Sequence, residues 1–457
     1  MPSYKMLNNY LIHFKKLTQI AIPIVIVEAG HQLTHVIDTI MVGQLGSIYI
    51  AAASLAHYLY MIPLLFCLGS TIAVTTLTGN ANGSGNLPEC KRLFSNAVFV
   101  QIINGILLTA LTLALGYLIP LIDPNIEKTT LSHNYYNYLA FSSLFVILLF
   151  TFKGYLDAFG YTIYGMFAIL FGNVVNIFLN WLLIYGNWGF PALGLEGAGI
   201  AILIDRVFTL LFLVSIALIT KKTRRLLILP KLSHLKKSKI KDFFKYGGHI
   251  GIQSSVEIAA FTLIVIFAGW LGVAQAASYQ ICINIAGLCY MATFGIGAAA
   301  TILISNYKGA GNVQGIKEAS KTIFAVSILF TLTCTIILVI SRDAFTSLFV
   351  NEQEVIALAS SLLFILALFQ MPDGLNVTIS GILRGLLDTK IPMIINSISF
   401  WVIMIPLAYL LGFVLDIGIE GIMYGVVSGI LICAISIAIR AIYTLKRVIR
   451  SDKHYLY

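Results

Sequence analysis

The sequence predicts an all-α integral membrane protein, with twelve transmembrane helices arranged as two pseudo-symmetric six-helix bundles. Three observations lead there: an apolar composition, a succession of long apolar runs, and fragments that recur about 225 residues apart. Of 457 residues, 59% are hydrophobic and 11% are charged, and the mean hydropathy is +0.92. A soluble domain carries about 25% charged residues, so most of this chain is not built for water.

Runs of roughly 20 apolar residues are long enough to cross a bilayer as helices. They lie near 17–41, 48–78, 93–120, 131–152, 163–185 and 196–219, and again near 246–270, 275–305, 320–340, 355–380, 391–413 and 420–443. The resulting plan is an N-terminus of 1–16, an N-lobe of 17–219, a basic linker of 220–245, a C-lobe of 246–445 and a C-terminus of 446–457. With both termini in the cytoplasm, Lys128 and Arg342 are alone on the outer loops and Arg206 lies within span six. The rest of the 29 basic residues fall on the inner side, Lys153 and Arg384 among them, as the positive-inside rule requires. The net charge of +10 is therefore a topology signal, and it points to anionic inner-leaflet lipids as partners, not to nucleic acid. The stretch MPSYKMLNNYLIHFKKL leads directly into a full-length span, so no cleavable signal peptide is expected.

The halves repeat. GNANGSGN (79–86) aligns with NYKGAGN (306–312), matching Gly83, Gly85 and Asn86 to Gly309, Gly311 and Asn312. GYLDAFGYTIYGM (154–166) aligns with GILRGLLDTKIPM (381–393), and GLEGAGIA (194–201) with GIEGIMYG (418–425). An even number of spans per repeat relates the halves by an axis along the membrane normal. The linker KKTRRLLILPKLSHLKKSKIKDFFK (221–245) joins them on the cytoplasmic side, where it could form an amphipathic interfacial segment.

Polar residues interrupt several spans at helical spacing. In VEAGHQLTHVIDTIMVG (27–43), Glu28, His31, Gln32, His35, Asp38 and Thr39 fall on one face. A carboxylate at the bilayer centre costs about 2.5–3.5 kcal/mol, so this stripe must face protein or a wet cavity. Pro23, upstream on the same helix, lacks an amide hydrogen and is a candidate helix bend. Span five carries Asn173, Asn176 and Asn180; span seven, Gln253 and Glu257; span eight, Gln280, Asn284 and Tyr290; span ten, Gln370, Asp373 and Asn376. Ionisable residues inside a membrane are functional candidates, whereas the asparagines equally suit hydrogen bonding between helices.

Other chemistry is poorly supported. The cysteines at 67, 90, 282, 289, 334 and 433 show no CxxC spacing and read as small apolar core residues. Glu28, His31, His35 and Asp38 could be metal ligands, but no HExxH is present. The Gly-x-Gly turns lack a GxxxxGK phosphate cradle, so transport should be secondary. No nucleophile–base constellation suggests an enzyme. Asp157, Arg384 and Asp388, in the paired cytoplasmic turns, suit turn stabilisation or gating.

HVIDTIMVGQLG, NVVNIFLNWLLIYG, VEIAAFTLIVIFAGWLG, LFQMPDGLNVTISGILRGLLDT and the paired Gly-x-Gly-Asn turns resemble the multidrug and toxic compound extrusion (MATE) family, most closely its NorM branch, along essentially the whole chain. The resemblance implies two six-helix lobes forming a V around a central cavity that alternates between membrane faces. It implies that Asp38 binds a proton or drug with Asn176 and Asn180 facing it. It also implies that Glu257 and Asp373, with Tyr290 beside them, bind the coupling cation. His31, His35, Asp205 and Arg206 are not positions that it explains.

The expected function is secondary export of small organic cations (drugs and dyes) in exchange for Na⁺, with H⁺ as a possible second coupling ion, across a bacterial inner membrane. A desolvated carboxylate needs a counter-ion or a proton, so Na⁺, H⁺ and an organic cation can compete for it. No cofactor, no metal beyond Na⁺ and no obligate protein partner are implied. The alternative is a lipid-linked oligosaccharide flippase of related architecture. A flippase would need a strongly basic cavity, whereas the intramembrane charges here are mainly acidic.

Overall fold

The computed structural model describes residues 2–122, 125–227, 234–347 and 352–453. Parts of the expected linker (228–233) and C-terminus (454–457) lie outside the described residues. Twelve helices among them are long and apolar enough to cross a membrane. In chain order these are α1 (Pro2–Gly43), α2 (Ser47–Gly83), α3 (Leu87–Gly116), α4 (Ile126–Asp157), α5 (Thr162–Tyr185) and α6 (Leu195–Ile219). The second half supplies α7 (Lys237–Leu271), α8 (Val273–Gly309), α9 (Val313–Ser347), α10 (Gln353–Gly385), α11 (Lys390–Val414) and α12 (Ile419–Lys453). Each corresponds to one predicted span; α3 ends at Gly116, short of the expected 120, and most of the others run several residues further because polar turns and caps continue the helix beyond its apolar core.

The turns explain the matched sequence fragments. Gly85 and Gly311 sit at φ +70° and +64°, where a side chain is disfavoured. The next residue caps the following helix in both halves. Asn86 accepts a hydrogen bond from the Glu89 amide at 3.0 Å, and Asn312 accepts one from the Gly315 amide at 2.7 Å.

The chain divides into two compact units, and their bounds differ from the expected lobes: one is 26–252, the other is 1–25 with 253–457. The first part of α1 therefore packs with α8–α12, and the first part of α7 packs with α2–α6. Glycines at repeat-equivalent positions permit both arrangements. A Cβ on Gly69 of α2 would collide with the Gly251 amide and approach the Gly247 carbonyl oxygen to 2.7 Å. A Cβ on Gly295 of α8 would collide with the Val25 side chain and approach its amide to 3.1 Å. α1 runs through Pro23 as one helix, and the change of packing partners follows between Val25 and Ile26.

Lys153 is placed differently from the sequence expectation. It is not in a connecting turn but in the last turns of α4, buried and paired with Asp157 at 2.8 Å. The described part of the linker is docked on the 26–252 unit. The buried Asn96 donates to the His234 carbonyl at 2.9 Å and accepts from the Lys236 amide at 2.9 Å, and Lys239 pairs with Glu89 at 2.6 Å. α11 departs from its counterpart α5. Ser399–Met404 and Leu410–Val414 form π-helical turns, whereas α5 is regular throughout.

Replacing Gly69 by Ala should destabilise the protein by about 1–3 kcal/mol, because backbone, not a flexible side chain, fills the space. Gly248→Ala, which meets nothing within 4 Å, should be neutral or mildly stabilising. Thermal unfolding of the two purified variants checks the difference; equal unfolding temperatures would contradict the packing.

Candidate functional site

In the 26–252 unit the site grows from α1, α5 and α6. Gly30 lets α1 lie close to α5, where an added Cβ would sit 3.1 Å from the Asn173 side-chain nitrogen. Half-buried Asp38 thereby reaches the buried asparagines of α5. Asn180 donates to an Asp38 carboxyl oxygen at 2.6 Å and to the Asn176 carbonyl oxygen at 3.0 Å. The Asn180 carbonyl oxygen is buried and makes no hydrogen bond among the described residues. Asp205 on α6 accepts from Thr209 at 3.0 Å and lies near enough for its charge to act on Asp38, as does the Tyr135 hydroxyl. Tyr135 carried no signal in the sequence beyond being an aromatic in a span.

Arg206, adjacent to Asp205, is already engaged. It donates to the Tyr60 hydroxyl at 2.7 Å and to the Ser142 hydroxyl, with its guanidinium 5.3 Å from the Tyr60 ring centroid. The single polar face expected on α1 is divided. His35 and Thr39 are exposed, and Thr39 bonds only back to the His35 carbonyl at 2.8 Å. His35 instead lies 4.8 Å, ring to ring, from His57 of α2. His31 and Glu28 lie near enough to Lys153 of α4 for its charge to act on both, and the His31 Nε2 is buried without a hydrogen bond among the described residues.

In the other unit, α7 and α10 bring Glu257 and Asp373 near enough for their charges to interact. Both are half-buried. Asp373 follows Pro372, the proline inside α10. Asn376, one turn on, is buried and accepts from the Cys433 thiol at 3.7 Å, and that thiol also meets the Asn396 carbonyl oxygen at 3.1 Å. The Tyr290 ring of α8 lies 6.2 Å from that of Phe294, tilted by 33°. Trp401, on the first π-helical turn of α11, donates to the Val256 carbonyl at 3.0 Å, immediately before Glu257. Gln280 and Asn284 do not join this cluster: they are exposed on α8 and bond to each other at 3.2 Å.

Among the described residues, Asp38, Asp205, Glu257 and Asp373 form no ion pair, whereas Asp157 and Asp388 do. Asp388 takes Arg440 at 2.7 Å and the Thr444 hydroxyl at 3.0 Å, tying the α10–α11 turn to α12. The arrangement is thus two acidic clusters, one per unit: Asp38 and Asp205 beside the α5 asparagines, and Glu257 with Asp373.

The comparisons with known proteins bear on the fold and the family. The MatE family profile matches residues 23–182 and 250–410, one stretch in each half. A probable multidrug resistance protein NorM of Agrobacterium fabrum is 25% identical, the alignment covering 98% of this chain and 97% of that protein. The multidrug resistance protein NorM of Photobacterium profundum is 27% identical over 95% of this chain and 96% of its own length. Among solved structures, a eukaryotic MATE transporter superposes with a TM-score of 0.86 at 22% identity, covering 96% of this chain and 100% of that one. A MATE protein in its bent conformation gives 0.88 at 19%, with coverage of 97% and 99%. With twelve membrane-length helices, a repeated plan and a family match in both halves, the chain belongs to the MatE family.

Proposed function

We propose that this protein is a secondary multidrug exporter that expels organic cations in exchange for Na⁺, with H⁺ as a second coupling ion, by alternating access. The observation that carries the reading is the set of carboxylates, Asp38 in one unit and Glu257 with Asp373 in the other, that lie within membrane-spanning helices and form no ion pair among the described residues. An acid in that position requires a cation or a proton, and a mobile one can be exchanged. The relatives' printed role in multidrug resistance supports the same reading.

The assigned roles follow from partners. Asp38, hydrogen-bonded by Asn180 and with Asn176 behind it, receives the drug cation or a proton. Glu257 and Asp373 together hold Na⁺, because two nearby carboxylates repel unless a cation lies between them. Tyr290 closes the aromatic side of that site. A tenfold ion gradient supplies about 1.4 kcal/mol. For one Na⁺ against one monovalent drug the voltage term cancels, so accumulation is limited to roughly tenfold per ion. The flippase alternative lacks a supporting feature in the 26–252 unit, where Arg206 is held by Tyr60 and Ser142.

Vesicles containing the purified protein and a fluorescent organic cation test the proposal, with Na⁺ and pH gradients imposed separately. Na⁺-driven efflux is expected in the wild type and should be lost in Glu257→Gln and Asp373→Asn. Efflux driven by pH alone and lost with Asp38→Asn would move the coupling ion to the other unit, and no gradient-driven movement would sink the exporter reading. Asn180→Leu removes the donor to Asp38, and drug affinity should fall about tenfold, the worth of one hydrogen bond to a charged group. Na⁺ binding at Glu257 should survive that change, and a parallel loss of both would contradict two separate sites.

A further inference from the structure

Arg384 is a charge that the exchange scheme above leaves unused. It lies near the end of α10, eleven residues after Asp373, so three helical turns bring it back to the same face about 16 Å away. Its Nη2 donates to the Gln253 carbonyl oxygen at 3.4 Å. Its Nε is buried and has no hydrogen-bond partner among the described residues.

Two features keep this guanidinium unattached. The acid four residues on, Asp388, is its natural local partner but is occupied by Arg440 and Thr444. The nearby Leu386 carbonyl already accepts from the Lys308 ammonium at 2.7 Å. What faces Arg384 from the neighbouring helices is Gln253 and Glu257 on α7 and Tyr290 on α8, and both Glu257 and Tyr290 act on it electrostatically. Gln253 and Glu257 are one turn apart on one face of α7, with their Cβ atoms about 6 Å apart. A long, rotatable arginine side chain spans that step without any movement of the backbone.

We propose that Arg384 is a resident counter-ion for Glu257: it rests on Gln253 while a coupling cation occupies the carboxylate and swings one turn to Glu257 when the cation leaves. This rests on the reading of Glu257 as a ligand of the coupling cation. The consequence is a tuned affinity. A carboxylate left bare in an apolar span would hold its cation too tightly to release it, whereas an internal competitor lowers the cost of the empty state. Na⁺ therefore binds by displacing an arginine rather than by filling a vacancy.

The test is equilibrium binding of radioactive sodium to the full-length protein in lipid nanodiscs, titrated with NaCl against choline chloride at constant ionic strength. Arg384→Gln removes the competitor and should tighten Na⁺ binding about tenfold. Gln253→Leu removes the resting partner, drives Arg384 onto Glu257, and should weaken binding about fivefold, the worth of one hydrogen bond. In a Glu257→Gln background, Arg384→Gln should change nothing. Damage to the site alone would weaken binding in both single variants, so opposite signs are the mark of a competitor. Unchanged or weaker binding in Arg384→Gln overturns the proposal, and if that variant does not fold, unchanged or tighter binding in Gln253→Leu overturns it. Absence of saturable Na⁺ binding to the wild type, or full binding to Glu257→Gln, removes the coupling-ion reading itself and this inference with it.

Discussion

The cost of a charge that no partner neutralises inside an apolar span governs this molecule. The acids in and beside the spanning helices are met in different ways. Asp157 is closed off by Lys153 one turn earlier on α4, and Asp388 by Arg440 of α12. Those two are structural. Asp38 is met by an amide donor, whereas Glu257 has a second carboxylate, Asp373, nearby and the Arg384 guanidinium near enough for their charges to interact. Neither Asp38 nor Glu257 forms an ion pair among the described residues, and the proposed exchange rests on that feature.

The two repeats build the same frame around different charges. Gly154 and Gly381 occupy matched positions on α4 and α10, each pressed against the backbone of a neighbouring helix: the Thr71 carbonyl of α2 in one unit, the Gly297 carbonyl of α8 in the other. Three residues later the chain places Asp157 in the first repeat and Arg384 in the second. The acid is neutralised on its own helix by Lys153. The arginine has no such neighbour and turns to α7. A repeated frame thus carries opposite charges at one position: an acid in an ion pair on its own helix, and an arginine that bonds across to α7.

Much of the fold was legible because the bilayer writes directly into sequence. Spans are long and apolar, the inner side is basic, and both turn glycines and their capping asparagines recur at a fixed offset. Asp38, Glu257 and Asp373 stood out for the same reason, as charges in places where charge is costly. Less legible was the exchange of partners in α1 and α7. Nothing in the apolar pattern distinguishes a helix that stays with its own repeat from one whose first part packs elsewhere; only the close approaches at Gly69 and Gly295 reveal it. Lys153 was misplaced because a basic residue near a span's end reads as a loop charge until its burial is seen.

The sequence by itself determined the class of protein, the number of spans, the repeat and which acids are exceptional, since these follow from local composition and from where charge can reside. Only the tertiary structure decided which acids meet a basic partner. Asp388 meets an arginine from a helix more than fifty residues away, and Asp38 an asparagine of α5. Pairing depends on distances between helices, and helical periodicity fixes which face a residue occupies without fixing what faces it.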